Sequence, residues 1–415
     1  MSIATAVNNE NEIFKIVYPK EMITDRTEVD LLQQLAPFNT EAKTGDKYRV
    51  PVQLTAEAGV TYLQQDSAQS INAAINAIEK QAEVAGCQIF VNGAVTKKAI
   101  SASMGNKQAF KRATAHKVVS MIESGKERLE WELLYGQDPR GLGVISGAPV
   151  TSGSNIVVTI SADSYSPGLW TGKTNTTLDV YSSAGVLRNT IGPITVVTAS
   201  IPNRTVTLSG ASADLAAVVS TDVLWFRSQR GQQCVGLRQI AAQTTGTLFG
   251  IDVETYDLFK GNTYAVNGAF SYAACMAGLD NAVARGLRGN CTLFLSTNTW
   301  KSLATEVKNL QQFLDGSQVK KAELGPEGEA IRIAYHRGMV KVMAHPLVRI
   351  GDGLLFQDDV VERVGSTDLT FDPEGNGPVF FDTANVNYKS IVLQSDQALF
   401  CGRPSRTLYY SGITA

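Results

Sequence analysis

Asn106 to Gly147 reads NKQAFKRATAHKVVSMIESGKERLEWELLYGQDPRGLGVISG, and the rest of the chain is organised around it. From Asn106 to Tyr135 there is no proline and one glycine, Gly125. Val118, Ile122, Leu129 and Leu133 fall on one face at steps of four and seven, and Phe110 and Leu134 extend the stripe. Glu123, Lys126 and Glu130 share helical spacing among the Lys and Glu residues that fill the other faces. The pattern predicts one helix about 45 Å long, at about 1.5 Å per residue, against an ordinary helix of about 11–12 residues. Gly136, Pro139, Gly141 and Gly143 then stop it.

The chain has 415 residues, enough for two or more domains and a sizeable core. Only 18% of residues are charged and 44% are hydrophobic. A subunit that buries much of its surface in an assembly has that composition, and so does a Ser/Thr-rich enzyme. A net charge of −2 argues against a dedicated nucleic-acid binder, but not against a container for nucleic acid. Cys87, Cys234, Cys275, Cys291 and Cys401 stand singly, with no CxxC, which argues against disulfides or structural zinc and suits a reducing compartment. With no apolar leader and no run of about 18 apolar residues, neither a signal peptide nor a membrane span is expected.

Outward from the helix, residues 1–45 read as an arm. Met1 to Glu12 is polar, Ile13, Phe14, Ile16, Val17 and Tyr18 are an isolated apolar run, and Asp30 to Leu35 reads as a helical turn. Tyr48 to Leu54 alternates, with Pro51 confining it to a sheet edge. Cys87 to Val91 reads as the second strand of a pair, separated from the first by a long Ala/Gln/Asn-rich excursion, Thr55 to Glu83. An amphipathic insert carrying Ile71, Ile75 and Ile78 is the alternative.

After the helix the character changes. Ser and Thr supply 24 of the 80 residues from Thr151 to Arg230, only nine are charged, and Lys173 is the sole lysine. Alternation recurs at Ile156, Val158 and Ile160, at Leu178 and Val180, at Val206 and Leu208, and at Val223 and Trp225. Turn signals at Pro167-Gly168, Ala184-Gly185, Gly192-Pro193 and Pro202-Asn203 separate these runs, so residues 151–235 read as an inserted all-β domain. Beyond it come a helix from Ala269 to Arg285 capped by Asn267, a strand from Thr292 to Ser296, and a helix capped by Thr297 or Asn298. Trp300, Leu303, Val307 and Leu310 lie on one face of that second helix. Gly316 to Gly328 reads as an exposed loop, Ile331 to Val342 as a hairpin about Arg337-Gly338, and Val379 to Tyr410 as a strand-rich tail.

The helix end Leu133-Leu134-Tyr135-Gly136, followed by Leu142-Gly143-Val144-Ile145, resembles the spine helix and following turn of tailed-bacteriophage major capsid proteins, the Hong Kong 97-type capsid fold. Gly246-Thr247-Leu248-Phe249-Gly250-Ile251-Asp252, the helix–strand–helix unit with Trp300, and His345-Pro346 also match that family's order. The resemblance covers everything but the β insertion and implies an α+β fold with these parts. They are an N-terminal arm (1–45), an extended loop (46–103), the spine helix and peripheral domain (104–150), an inserted β domain (151–235), an axial domain (236–345), and the end of the axial domain with the peripheral strands (346–415).

The function it implies is a structural subunit. It would self-assemble as hexamers and pentamers into an icosahedral head around double-stranded DNA, without sequence-specific binding and without a membrane. Scaffolding, portal and cement proteins are the implied partners, the host cytoplasm the place of assembly, and the virion the destination. An encapsulin-like nanocompartment shell is the close variant, and a cytoplasmic α/β enzyme with an appended β domain is the reading from another class. The residues favour no enzyme. There is no Walker-type loop and no Gly-x-Ser-x-Gly elbow, and Gly141-x-Gly143 follows a helix rather than a strand. His116, His336 and His345 lack Glu or Cys at ligand spacing. Asp358-Asp359 and Lys320-Lys321 read as solvated turn and loop residues. Catalytic, cofactor-binding and metal sites are therefore expected to be none. The β insertion, nearly free of lysine, is expected to be separable and to lie on the outside of the shell.

Overall fold

The computed structural model describes residues 29–41, 43–44, 47–63, 70–97, 107–313, 322–324, 330–371, 381–382 and 387–414. At 43–44, 107–116, 309–313, 322–324, 330 and 381–382 the description is of backbone alone. Most of the arm, and the side chains of Phe110, His116, Leu310 and the Lys320-Lys321 pair, lie outside it. A short helix α1, Leu31–Leu35, precedes the long helix α2, Lys107–Tyr135. Then come α3 (Ser212–Ala216), α4 (Leu237–Ala242), α5 (Tyr272–Ala284) and α6 (Thr297–Phe313). With several sheets beside these helices, the α+β expectation holds.

Helix α2 crosses a sheet made of Cys87–Thr96, Tyr388–Cys401 and Val361–Thr370, with Phe38–Asn39 and Phe381–Asp382 at its margins. Gly125 permits the approach. Glycine in a helix costs about 1 kcal/mol relative to alanine. Here a Cβ would come within 2.7 Å of Leu393 and 3.2 Å of Leu369, so only a bare backbone lets helix and sheet close up. Farther along, Leu129, Trp131, Leu133, Leu134 and Tyr135 enter the main core. At Gly136 a Cβ would stand 2.2 Å from the Cys234 carbonyl oxygen. The chain returning from the β-rich region passes that closely, and Gly236 N donates to Gly136 O at 3.0 Å.

The loop differs from its expected pairing. Lys47–Gln53 pairs antiparallel with Glu79–Ala85, not with Cys87 to Val91. Cys87 instead begins a strand that pairs with Tyr388–Cys401 over ten residues. Glu, Lys, Gln and Ala are weak strand formers, which hid Glu79–Ala85 in the sequence. Cross-strand pairs hold it, with Lys47 and Arg49 on Glu83 at 2.7 and 3.0 Å. Past Gln53 the two legs stay together: Leu54 N donates to Ile78 O and Ala58 N to Ile75 O. Ile71, Ile75 and Ile78 lie on this leg, not on a helix, and are exposed.

The β-rich region forms a seven-stranded sheet in the order Gly143–Val144, Val223–Phe226, Thr177–Tyr181, Ile194–Ser200, Thr205–Ser209, Asn155–Thr159, Val150–Ser152. The alternating runs lie on its strands, with Val158, Leu178, Val180, Val206 and Leu208 buried. Ile194–Ser200, hidden behind Gly192-Pro193, is an additional strand. The sheet begins at Gly143, before residue 151, and its buried side chains share one core with the end of α2. Arg128 lies 3.0 Å from the centre of the Phe226 ring, and Lys173 pairs with Glu127. The sheet is distinct, but its interior is not.

A second seven-stranded sheet runs Asn262–Gly268, Thr407–Ile413, Gly353–Gln357, Cys291–Leu295, Gly338–Ala344, Ala330–Tyr335, Ala322–Leu324, with α5 and α6 packed on it. The hairpin about Arg337-Gly338 is present. Part of the expected Gly316 to Gly328 loop, Ala322–Leu324, is a strand. The caps also differ. Ser271, not Asn267, accepts from Ala274 N, and Asn267 takes a left-handed backbone with φ of 50°. Ser296, preceding Thr297, accepts from Thr299 N at 3.3 Å.

Replacing Ser152 to Gln232 by a Gly/Ser linker should therefore destabilise the whole chain, because it strips Phe226, Lys173 and Gln229 from α2. Circular dichroism should show lost helix. A soluble variant with full helical signal would show the interior to be divisible.

Candidate functional site

Two buried polar junctions sit at the C-terminal end of α2. In the first, Asp138 is fully buried just past the helix stop. It accepts from Arg349 Nη1, Arg140 Nη2 (3.1 Å) and Arg238 Nη1 (3.3 Å). Arg349 is also fully buried; its Nη2 donates to Gly141 O, and its guanidinium lies 4.2 Å from the Tyr135 ring centre. Arg140 reaches on to Asp352 at 2.8 Å, and Tyr409 OH donates to the same carboxylate at 2.8 Å. Burial by itself would raise the Asp138 pKa. The charges of Arg349, Arg140 and Arg238 outweigh it and hold the carboxyl well below the usual range. Its contribution is present above the unfolded pKa and is lost only as pH falls through the lowered folded value.

In the second junction, one turn earlier than Tyr135, Glu130 is fully buried and accepts from Leu32 N (2.6 Å), Gln33 N (3.1 Å) and His345 Nε2 (2.9 Å). His345 Nδ1 accepts from Leu347 N at 3.1 Å, which leaves Nε2 as the protonated nitrogen. Glu130 is thus not on a solvated face as its helical spacing suggested. It ties α1 and the His345 segment to α2. Beside it Lys126 holds Asp30 at 2.7 Å.

Of the other residues considered from sequence, His336 is exposed, 3.9 Å from Asp280. Asp358 and Asp359 occupy a turn; Asp358 accepts from Thr292 Oγ1 at 2.6 Å and Asp359 from Gln357. Among the described residues no three His, Cys, Asp or Glu side chains are grouped to hold a metal, and no helix is long and apolar enough to cross a membrane. The Asp138, Arg140, Arg238, Arg349 and Asp352 cluster was not legible as a site. Its one local signal is Arg349 flanked by Leu347, Val348 and Ile350, a charge inside an apolar run.

What the structure leaves open is the loop. Its legs display Val60, Tyr62, Leu63, Ile71, Ile75 and Ile78 to solvent, Tyr62 at 92% exposure and Ile71 at 77%. Exposed runs of large apolar side chains are what contact surfaces present.

No protein-family profile and no curated protein matches the chain. Among solved structures, the capsid of cyanophage A-1(L) superposes with a TM-score of 0.53 at 11% identity, covering 96% of this chain and 97% of that one. The chain has the tailed-phage major capsid fold. Capsid of cyanophage P-SCSP1u is also similar, with a TM-score of 0.47 at 9% identity over 98% and 94% of the two chains. So is the SrpI encapsulin of Synechococcus elongatus, with a TM-score of 0.43 at 12% identity over 96% and 92%.

Next to the two junctions, Glu132 is buried with Oε2 unpartnered, while its other oxygen accepts from Gln229. Burial pushes its pKa up to about 7, against the opposing pull of Gln229 and Arg128. A raised carboxyl pKa gives stability that is complete below the unfolded value of 4.5 and is lost as pH rises through about 7. Glu132→Gln should raise the unfolding free energy of the unassembled chain at pH 8 by on the order of 3 kcal/mol, and barely change it at pH 4. Urea titrations at the two pH values test this; an equal shift at both refutes it.

Proposed function

We propose that the chain is the subunit of a closed protein shell, a phage major capsid protein assembling as hexamers and pentamers around double-stranded DNA. The observation that carries this is the two-legged loop with its exposed apolar residues. A lone subunit leaves that surface wet, whereas a lattice of copies covers it on every subunit. Many weak contacts then sum into a stable closed object. The capsid fold supports the reading, as does the scarcity of charge. The β-rich sheet, with no basic stripe, suits the outer face. A scaffolding protein, a portal and a cement protein would be its partners in a virion assembled in the host cytoplasm, and the reading gives the chain no enzymatic role. The nanocompartment variant shares the geometry and differs in contents.

Negative-stain microscopy of the chain, expressed alone or with scaffold, should show closed particles, and DNA should be extractable from mature ones. Soluble monomers under all conditions would sink the proposal; particles holding only a protein cargo would favour the nanocompartment. The arm is expected to be needed for closure. A deletion of residues 2–40 would remove Leu32 and its bond to Glu130 as well as Phe38, so the cut belongs before Val29. A chain lacking residues 2–28 should stay folded and fail to close. Normal particles from it would show the arm to be dispensable.

Covalent chain-mail is not expected. The loop has no lysine from Val50 through Glu79, and Lys47 and Lys80 stand at its base, with Asn385 and Asn387 the acceptors weighed against them. Mature particles boiled in detergent should run as one monomer band; a ladder of cross-linked species contradicts this.

A further inference from the structure

All five cysteines are free and buried, and two of them, far apart in sequence, meet beside the end of α2. Cys87 opens the strand Cys87–Thr96, which pairs antiparallel with Tyr388–Cys401 and sets Cys87 opposite Gln397. Its thiol donates to Gln397 O at 3.3 Å. Two residues farther along the same strand, Leu399 N donates to the thiol of Cys234. Cys234 Sγ also lies 3.9 Å from Glu132 O, on α2. Both sulfurs are thus held against neighbouring backbone groups of one strand. The Cys87 side chain adjoins Cys234 and, together with burial, pushes the Cys234 thiol pKa well above the usual range.

The other three cysteines have different company. Cys291 Sγ lies 3.6 Å from Tyr335 OH, and Cys275 Sγ lies 3.9 Å from Tyr410 OH. Cys401 is bonded to the Arg403 amide. Only Cys87 and Cys234 have a second sulfur beside them among the described residues.

Their position gives a bond between them a consequence. Cys234 belongs to the segment that returns from the β-rich sheet past the helix stop, where Gly236 N donates to Gly136 O at 3.0 Å. Cys87 belongs to the sheet that α2 crosses. A covalent link would close residues 87–234 into a ring that contains α2 and the strands of the β-rich sheet from Gly143 to Phe226.

We infer that Cys87 and Cys234 form an oxidation site, a thiol pair that peroxide converts into a disulfide locking the β-rich sheet and α2 to the crossed sheet. Hydrogen peroxide is the co-reactant. One sulfur attacks a peroxide oxygen, the O–O bond breaks, water leaves and a sulfenic acid remains. The second sulfur then displaces the hydroxyl group, the S–S bond forms and a second water leaves. Two thiols give up two hydrogens with their electrons, and the peroxide takes both. The apolar surroundings exclude a bulky oxidant but admit one the size of water. Scarce thiolate in that setting makes closure slow.

The test treats the full, unassembled chain with hydrogen peroxide, then unfolds it, alkylates the remaining thiols and digests it without reductant. Mass spectrometry should find the Cys87 and Cys234 peptides joined, with Cys275, Cys291 and Cys401 alkylated. Closing so large a ring constrains the unfolded chain, so the apparent melting temperature should rise by about 5 °C and fall back with dithiothreitol. Cys234→Ser should show neither the joined peptides nor the rise. Should that variant not fold, the peptide map and melting shift of the native chain decide alone. Free thiols at both positions, a bond to another cysteine or between chains, or a bond that leaves the melting temperature unchanged overturns the inference. The result is independent of whether the chain closes into shells.

Discussion

Asp138 is the constraint on which the fold depends. A carboxylate with no solvent contact cannot remain charged unless cations surround it, and three arginines from three separate stretches do so. Arg140 belongs to the turn after the long helix, Arg238 to α4 and Arg349 to the segment between the strands of the second large sheet. Neutralising Asp138 therefore requires all three pieces to arrive together. Removing one partner of such a buried set typically costs about 3–5 kcal/mol, because the other charge is left uncompensated. The junction fixes where the long helix ends relative to both large sheets.

Glu130 works by the same logic eight residues earlier, with two backbone amides of α1 and His345 in place of arginines. The consequence is a division of labour along one helix. Its middle approaches a sheet through Gly125, where bare backbone allows contact, and its end is locked by buried charge. Buried charge is concentrated at the C-terminal end of α2. The described legs of the loop instead leave Tyr62 and Ile71 largely exposed.

Glu132 introduces a sensitivity to rising pH. Its unpartnered oxygen is held by burial alone, so the deprotonated form is costly there. The same residue touches the β-rich sheet through Gln229, while Arg128 and Glu127 contact Phe226 and Lys173. The sheet that looked like an independent module in sequence is thus joined to the helix by contacts on three of its side chains.

The sequence by itself determined the long helix, its stop at Gly136, the alternating strands after Thr151 and the hairpin at Arg337-Gly338. These depend on local periodicity and on residues that break it, both of which survive in one dimension. The tertiary structure decided the rest. It chose Glu79–Ala85 as the return strand, against its propensity, because pairing with Lys47–Gln53 outweighs intrinsic preference. It turned Glu130 from a surface charge into a buried acceptor for a histidine 215 residues away. It merged the interior of the β-rich sheet with the helix, which no composition shift at residue 151 reveals. Charge pairing and shared burial are made between stretches far apart in the chain. Periodicity reports the face a residue takes, but not the partner waiting there.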